Sequence, residues 1–291
     1  MYNLESVAAD AETFRRCVAE DKPYKPLYVK IKLTWRCNLR CVMCNYWRQE
    51  REDVLTLPRL RALADELADL GCGKVHLSGG EVLLRDDLEE IIACFVARGM
   101  RVNLTTNATL LTKERAFSLI ETGVRGVSVS IDSPDPHIHD RIRGKGAWKR
   151  AVKGLSYLRR AIDRLKARTR LRLNTVVSRR NFESLVSLAD FAHDLGVDCL
   201  TLIPVDDETG RLYLNKERIR RYNATVAPVI ASRGMAFGLL DRPEEAYPFG
   251  TEKRDWEYSK QGWYALGLYE HQPCYAPWTH SLITPRGRVY A

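Results

Sequence analysis

Three cysteines stand within eight residues of each other, directly after a strand-like run. They are Cys37, Cys41 and Cys44, in the spacing C-x3-C-x2-C. Thiolates at this spacing can reach three corners of one cuboidal iron–sulfur cluster, which would leave one iron open to a ligand. The spacing also fits one face of a helix with buried cysteines, although Asn38 and Arg40 argue against an apolar face. A zinc site is a further alternative, and it would need a fourth ligand.

The composition of the 291-residue sequence is that of a globular protein, with 45% hydrophobic and 29% charged residues and a mean hydropathy of −0.32. No apolar run approaches the length of a membrane span, and the N-terminus has no signal-peptide pattern. We therefore expect a cytoplasmic protein without membrane contact. In a reducing compartment, clustered cysteines indicate a metal-binding or catalytic site rather than disulfides.

Six strand-like segments, each followed by a helical segment, run along most of the sequence. The predicted strands are 28–35, 74–78, 101–106, 125–132, 171–177 and 198–204. Short connections between strand and helix force parallel pairing, and six units are too few to close an eight-stranded barrel. The sequence therefore predicts an α/β fold, a partial (β/α)6 TIM-like barrel with a short C-terminal extension. We assign 1–27 to an N-terminal segment, 28–234 to the barrel, and 235–291 to a lid followed by the start of a C-terminal domain.

Short motifs follow successive predicted strands. The cysteine triplet follows the first strand, SGGE at 78–81 the second, and TTN at 105–107 the third. SVSIDS at 128–133 ends the fourth strand, and HDRIRG at 139–144 comes next. Each motif alone is an ordinary turn or strand end, but their order on successive strands is not. In this order the motifs resemble those of the radical S-adenosylmethionine (radical SAM) superfamily, and the resemblance extends from about residue 28 to residue 204.

This resemblance implies a cofactor set and a reaction. A [4Fe–4S] cluster would be held by Cys37, Cys41 and Cys44, with its open iron chelated by the amino and carboxylate groups of S-adenosylmethionine. An electron from the cluster would cleave the sulfonium to methionine and a 5′-deoxyadenosyl radical, which abstracts hydrogen from a substrate. The residues that the resemblance implies in cofactor binding are Met43, Gly79, Gly80, Glu81, Thr106, Asn107, Ser130, Asp132, Arg143, Asn174 and Ile203.

The physical chemistry of several of these residues suits the implied roles. Glycines let the backbone approach a ligand closely, and the acid at Glu81 suits an ammonium group. Ser130 is carried over as a contact to the methionine carboxylate or ribose, and Arg143 suits a carboxylate. Asn174 is implied as a ribose contact and Ile203 as a surface for adenine. The sequence departs from the family pattern at Met43, where an aromatic residue is usual, and after GGE, where Pro is usual.

The C-terminal residues 274–291 resemble the opening of a SPASM-type auxiliary-cluster domain. Cys274 and Gly287 have the spacing of its first ligand and glycine, and the sequence ends four residues after that glycine. We expect the chain to be a fragment of a longer protein in which Cys274 ligates an auxiliary iron–sulfur cluster. The alternative is a lone cysteine in a hydrophobic C-terminal hairpin.

The net charge of +9 is concentrated in one region. Residues 141–180 hold fifteen Lys or Arg and one acid, so the rest of the chain is net negative. This region is either a solvated helix surface or a docking face for an acidic electron donor such as a flavodoxin or ferredoxin. We favour an acidic protein over nucleic acid as the partner.

The sequence leaves several functions open. The first is a radical SAM enzyme that modifies a peptide or protein. The second is a radical SAM enzyme acting on a sugar or another small-molecule metabolite, and the third is a non-catalytic iron–sulfur or zinc module. About 27 residues precede the first strand, which is too short for a fused leader-peptide-binding domain. Acidic and aromatic residues after the sixth strand are candidates for lining a polar, sugar-like or peptide site, with ordinary packed loops as the alternative; they are Asp206, Asp207, Glu208, Trp256, Tyr258, Trp263 and Tyr264.

Overall fold

One mixed sheet organises the protein. The computed structural model describes residues 4–49 and 52–290, and in this part of the chain the spatial strand order is β6-β5-β4-β3-β2-β1-β7-β8. All neighbouring strands are parallel except the antiparallel pair β7 and β8. The strands are β1 Tyr28–Lys32, β2 Lys74–Ser78, β3 Arg101–Thr106, β4 Gly126–Ser130, β5 Arg170–Val177, β6 Cys199–Pro204, β7 His280–Ile283 and β8 Val289–Tyr290.

Helices cover one face of this sheet and make up most of the connections between strands. The helices are α1 Leu4–Ala8, α2 Ala11–Ala19, α3 Leu57–Asp69, α4 Leu88–Val96, α5 Lys113–Glu121, α6 Pro136–Arg143, α7 Ala147–Leu165, α8 Leu188–Asp194, α9 Lys216–Thr225, α10 Ala227–Ala236, α11 Lys253–Ser259, α12 Leu268–His271 and α13 Ala276–Thr279. Short 3-10 turns lie at Tyr46–Arg48, Val82–Leu84, Phe182–Ser187 and Pro243–Ala246. None of the described helices is both long enough and apolar enough to cross a membrane.

The core lies between the sheet and the helices because each strand alternates in side-chain direction. In β5, Leu171 and Leu173 are fully buried, whereas Arg172 and Asn174 between them are only partly buried. Each large aliphatic side chain removed from water in this way contributes about 1.5–3 kcal/mol. The apolar side chains therefore fix the helices on one face, and the opposite face of the sheet keeps polar side chains.

The predicted architecture is confirmed: six parallel strands with helical connections form an open α/β barrel. Two predicted strands end earlier than expected, β1 at Lys32 and β4 at Ser130. The residues after them leave the sheet and form loops. The helical segment that follows the sixth strand is divided into α9 and α10 at Val226, because Pro228 has no N–H and cannot continue the preceding helix.

A strand missing from the prediction extends the sheet beyond β1. The four residues of β7 pair in parallel with β1, with His280 opposite Tyr28 and Ile283 opposite Ile31. They come from the segment assigned to a lid and C-terminal extension. Strand β8 then folds back on β7 as a short antiparallel hairpin. Cys274 lies just before α13, which leads into β7.

Candidate active site

The three cysteines lie in an irregular loop between β1 and the turn at Tyr46–Arg48. The helix-face alternative is therefore wrong. All three thiols are free, Cys41 is buried, and Cys37 and Cys44 are partly buried. Burial raises the pKa of each thiol, that of Cys41 to about 11. They are therefore protonated at neutral pH, and a metal that bound them would have to displace these protons.

The cysteine loop is joined to the SGGE turn by backbone hydrogen bonds. The N–H of Gly80 donates to the carbonyl of Thr34 at 2.8 Å, and that of Glu81 donates to the carbonyl of Arg36 at 2.9 Å. A Cβ at Gly79 would stand 2.5 Å from the Thr34 carbonyl oxygen, and a Cβ at Gly80 would collide with the Arg36 carbonyl. Both glycines are thus required by the contact between two loops, a different physical reason from the ligand approach expected from the sequence.

Glu81 fixes the carboxyl ends of β2 and β3 together. Its carboxylate accepts hydrogen bonds from the Thr106 hydroxyl at 2.6 Å, the Asn107 N–H at 2.7 Å and the Leu83 N–H at 3.1 Å. The side chain is 1% exposed. Burial raises the pKa of Glu81, and the hydrogen bond from Thr106 is the largest opposing effect. The residues predicted after the second and third strands therefore form one connected unit.

A buried ion pair lies beneath the ends of β4 and β5. Asp132 is fully buried and accepts from the Arg143 Nε at 2.6 Å and Nη2 at 3.0 Å, and also from the Val176 N–H at 3.0 Å. Burial opposes the charge of Arg143, but the attraction of Asp132 keeps the pKa of the guanidinium above its ordinary value. The negative charge of Asp132 is thus paired with Arg143 within the protein.

A cavity of about 410 Å³ brings most of the predicted residues together at the carboxyl ends of the strands. This volume suits a small-molecule ligand. The predicted residues on its wall are Cys37, Cys41, Met43, Cys44, Gly79, Gly80, Glu81, Thr106, Asn107, Ser130 and Arg143. Asp206 and Glu208, from the loop after β6, also reach it.

Four of the residues predicted to bind the cofactor or a metal are not part of this cavity wall, and neither is Asp207. Asp132 lies behind Arg143, so the structure gives it a supporting position instead of the direct cofactor contact that we expected. Ile203 is 38% exposed at the end of β6, and Asn174 lies further down β5. Cys274 belongs to the C-terminal segment.

Several cavity residues were not among the predicted site residues. Ser78 and Thr105 belong to motifs quoted above, and the strand ends that carry those motifs were the signal that could have found them. Asn45 and Tyr46 follow the third cysteine directly, so their position in the sequence could have indicated them in the same way. Val176 lies two residues beyond Asn174, and in the sequence it reads as an ordinary strand residue.

The residues that line the cavity fit an iron–sulfur cluster and a polar cofactor. Among the described residues, no three His, Cys, Asp or Glu side chains are placed to hold one metal ion. A cuboidal cluster makes a different demand, because each thiolate binds a separate corner. The Oγ atom of Ser78 is buried on the cavity wall with no hydrogen-bond partner in the described structure, which is the state expected of a group awaiting a ligand.

Comparison with known proteins agrees with this geometry. The model of the Radical SAM superfamily matches residues 31–192, more than half of the chain. The AdoMet-dependent heme synthase of Methanosarcina barkeri is 38% identical over 174 residues, which are 59% of this chain and 48% of that protein. The PqqA peptide cyclase of Bradyrhizobium diazoefficiens is 27% identical over 292 residues, covering 98% of this chain and 69% of that protein.

The fold is also shared with solved structures. Streptococcus suis SuiB bound to S-adenosylmethionine superposes with a TM-score of 0.71 at 18% identity, covering 98% of this chain and 64% of that one. The chain spans about half the length of the heme synthases that it matches. With the family model matched across β1 to β5 and the cysteine loop in the expected place, the chain belongs to the radical SAM superfamily.

Proposed function

We propose that this chain forms the catalytic barrel of a radical SAM enzyme that modifies a peptide. The observation that carries the proposal is the shared cavity, where the three cysteines meet Ser78, Gly79 and the end of β4. A [4Fe–4S] cluster with bound S-adenosylmethionine would supply the radical chemistry for hydrogen abstraction. The protein's part is to hold these groups, orient the substrate and limit the access of water.

The chain's own residues divide this work. Cys37, Cys41 and Cys44 would ligate three irons. The backbone of the SGGE turn and the hydroxyl of Ser130 would bind the polar groups of S-adenosylmethionine. Arg143 would face its carboxylate with Nη1, because Nε and Nη2 already bind Asp132.

Asn174 remains our candidate for a ribose contact, since its Oδ1 atom is buried and has no hydrogen-bond partner within the described residues. Ile203 remains the candidate surface for adenine, because this exposed apolar side chain stands at the end of β6. Neither residue lines the 410 Å³ cavity, so both assignments require the cofactor to reach past the residues that line it.

A peptide substrate is supported by the names of similar proteins. The PqqA peptide cyclase aligns with 98% of this chain, and SuiB has been solved bound to the precursor peptide SuiA. A small-molecule substrate is the second candidate, favoured by the relatives named AdoMet-dependent heme synthase and GTP 3′,8-cyclase. Asp206 and Glu208 place two carboxylates at the cavity, where they would bind donors of either substrate.

Two further parts of the proposal concern regions outside the cavity. The basic surface of α7 would receive an acidic electron donor such as a flavodoxin or ferredoxin. It carries exposed cations such as Lys149, Lys153 and Arg160. Cys274 would ligate an auxiliary cluster in a longer protein, together with cysteines beyond this sequence. Mapping the donor by cross-linking, and sequencing onward from Ala291, test these two points separately.

The decisive experiment is anaerobic reconstitution with iron and sulfide, followed by dithionite, S-adenosylmethionine and an assay for 5′-deoxyadenosine. We expect about four irons per chain and formation of the nucleoside. Cys37→Ala, Cys41→Ala and Cys44→Ala should each abolish the product, because each removes one thiolate. Cys17→Ala is the matched control, since this cysteine lies in α2 and does not line the cavity, and it should retain both iron and product.

Two results would contradict the assignment. Nucleoside formation in any of the three loop variants would show that the missing thiolate is not a ligand. Zinc in place of iron, or a cluster that never yields nucleoside, would instead favour a binding module. The substrate class is read separately, by asking whether candidate peptides or small molecules raise nucleoside formation above the rate without substrate.

A further inference from the structure

A second cavity, of about 240 Å³, opens at the other end of the barrel. Its wall includes the first residues of five strands, among them Lys74 of β2, Arg101 of β3 and Arg170 of β5. The cysteine loop follows the carboxyl end of β1, so the two cavities lie at opposite ends of the parallel strands. They have no wall residue in common.

This amino-end cavity carries five cationic side chains and no acidic one. The cations are Lys74, Arg101, Arg125, Arg170 and Arg172. None of them forms an ion pair with a carboxylate of the described residues. Other arginines of the described residues do have such a partner, for example Arg115 with Glu89 and Arg85 with Asp87.

The cations of the cavity act on one another. Burial lowers the pKa of Lys74, and the charges of Arg172 and Arg101 lower it further. The neighbouring His76 has its pKa lowered to about 4 by burial and by Lys30, Lys74 and Arg172. These groups come from β1, β2, β3 and β5, so the fold brings together like charges from strands far apart in sequence.

A solvated surface would explain exposed arginines, but it explains this arrangement less well. Arg101, Arg125 and Arg170 are exposed, whereas Lys74 and Arg172 are partly buried. Like charges held together in a concave site raise the local potential and attract anions. In an ordinary barrel, branched apolar side chains fill this interior instead.

We propose that the amino-end cavity binds a small polyvalent oxyanion, carrying phosphate or carboxylate groups. The volume of about 240 Å³ accommodates an anion the size of pyrophosphate or citrate. Guanidinium groups present parallel N–H donors that match the oxygens of both phosphate and carboxylate. The site is separate from the cysteine loop, and its existence does not depend on the reaction proposed above.

The test is isothermal titration calorimetry in a buffer free of phosphate and citrate, at low and constant ionic strength. Sodium pyrophosphate, ATP and citrate are the probes, with sodium chloride as the control. We expect saturable binding to the wild-type protein by at least one probe. Lys74→Gln together with Arg172→Gln should weaken it at least about tenfold per cation, because charge-assisted hydrogen bonds are worth this much.

Two further variants test whether anion binding is specific to the cavity. Arg101→Gln with Arg170→Gln removes two exposed cations of the cavity and should weaken binding without disturbing the partly buried ones. Lys149→Gln with Arg160→Gln removes the same charge from the exposed surface of α7 and should bind as tightly as wild type. Without any anion, the Lys74 and Arg172 variant should unfold at or above the wild-type temperature, since repulsion is relieved.

Each outcome has a defined meaning. Binding of pyrophosphate or ATP alone supports a phosphate ligand, and binding of citrate alone supports a carboxylate ligand. The proposal is overturned if no probe gives saturable heat, or if the α7 variant weakens binding as much as the cavity variants. It is also overturned if the Lys74 and Arg172 variant melts well below wild type while still binding the probe, which would assign these cations to structure alone.

Discussion

The ion pair between Asp132 and Arg143 offers a quantitative test of the site's architecture. Asp132→Asn keeps the shape of the side chain but leaves the Arg143 guanidinium, 7% exposed, without its anionic partner. Removing one member of a buried ion pair costs about 3–5 kcal/mol, because the remaining charge is neither paired nor hydrated. For a chain of this size, that loss corresponds to a fall of roughly 6–10 °C in melting temperature.

The assay is urea unfolding together with thermal unfolding, both followed by circular dichroism. Glu90→Gln is the matched control, since it breaks a pair with Arg61 in which the two side chains are 61% and 55% exposed. This exposed pair should contribute at most about 1 kcal/mol. The double variant Asp132→Asn with Arg143→Gln should be less destabilised than the sum of the two single variants, since neither charge is then left alone.

A small effect would refute this reasoning. If Asp132→Asn lost less than about 1 kcal/mol, Arg143 would have to find another partner or reach solvent. Additive single and double variants would show equally that the two charges are not coupled. In either case, the view that Asp132 fixes the guanidinium at the cavity wall would be wrong.

Two further predictions concern the neighbourhood of the same cavity. Gly80→Ala should destabilise the protein by roughly 1–3 kcal/mol and reduce iron incorporation, because the added Cβ collides with the Arg36 carbonyl. Gly73→Ala is the control: its Cβ meets open space, so urea unfolding and iron content should not change. His139 is fully buried, and burial, followed by the charge of Arg143, lowers its pKa from 6.5 to about 4. The unfolded chain therefore takes up this proton first as the pH falls, so between pH 6.5 and 4 the free energy of unfolding should drop by about 3 kcal/mol more in wild type than in His139→Gln. Equal slopes in the two proteins would contradict that assignment.

The sequence predicted the barrel well because its signals are local. Each strand alternates apolar and polar residues, each is followed by a helical pattern, and the chemistry-bearing motifs stand where strands end. Parallel strands bring all their carboxyl ends to one edge, so the order of motifs along the chain was enough to predict a shared site. Strand β7 was missed because its four residues have no period of their own and acquire their structure only by pairing with β1.

The functions of individual site residues were harder to predict than their positions. The sequence indicated that glycines follow β2, and the structure shows that Gly80 is needed for contact with the carbonyl of Arg36. The sequence also indicated an acid after β4. In the structure, Asp132 does not line the cavity and instead binds Arg143. Residue type and strand position follow from the pattern, whereas side-chain direction beyond the strand end depends on loops that only tertiary contacts define.

The two cavities both follow from the alternation of side-chain direction along the strands of this sheet. In β3, Asn103 lines the amino-end cavity and Thr105 lines the cysteine-end cavity, and in β4 the same relation holds for Ser128 and Ser130. Positions two residues apart face the same side and are about 7 Å apart along a strand. The inner face of this sheet therefore carries polar side chains at both ends and is not filled by apolar layers, unlike that of a closed barrel. Substitutions at the inward positions should therefore alter ligand binding at one end or the other, whereas those at the alternate positions, such as Leu104, should alter stability.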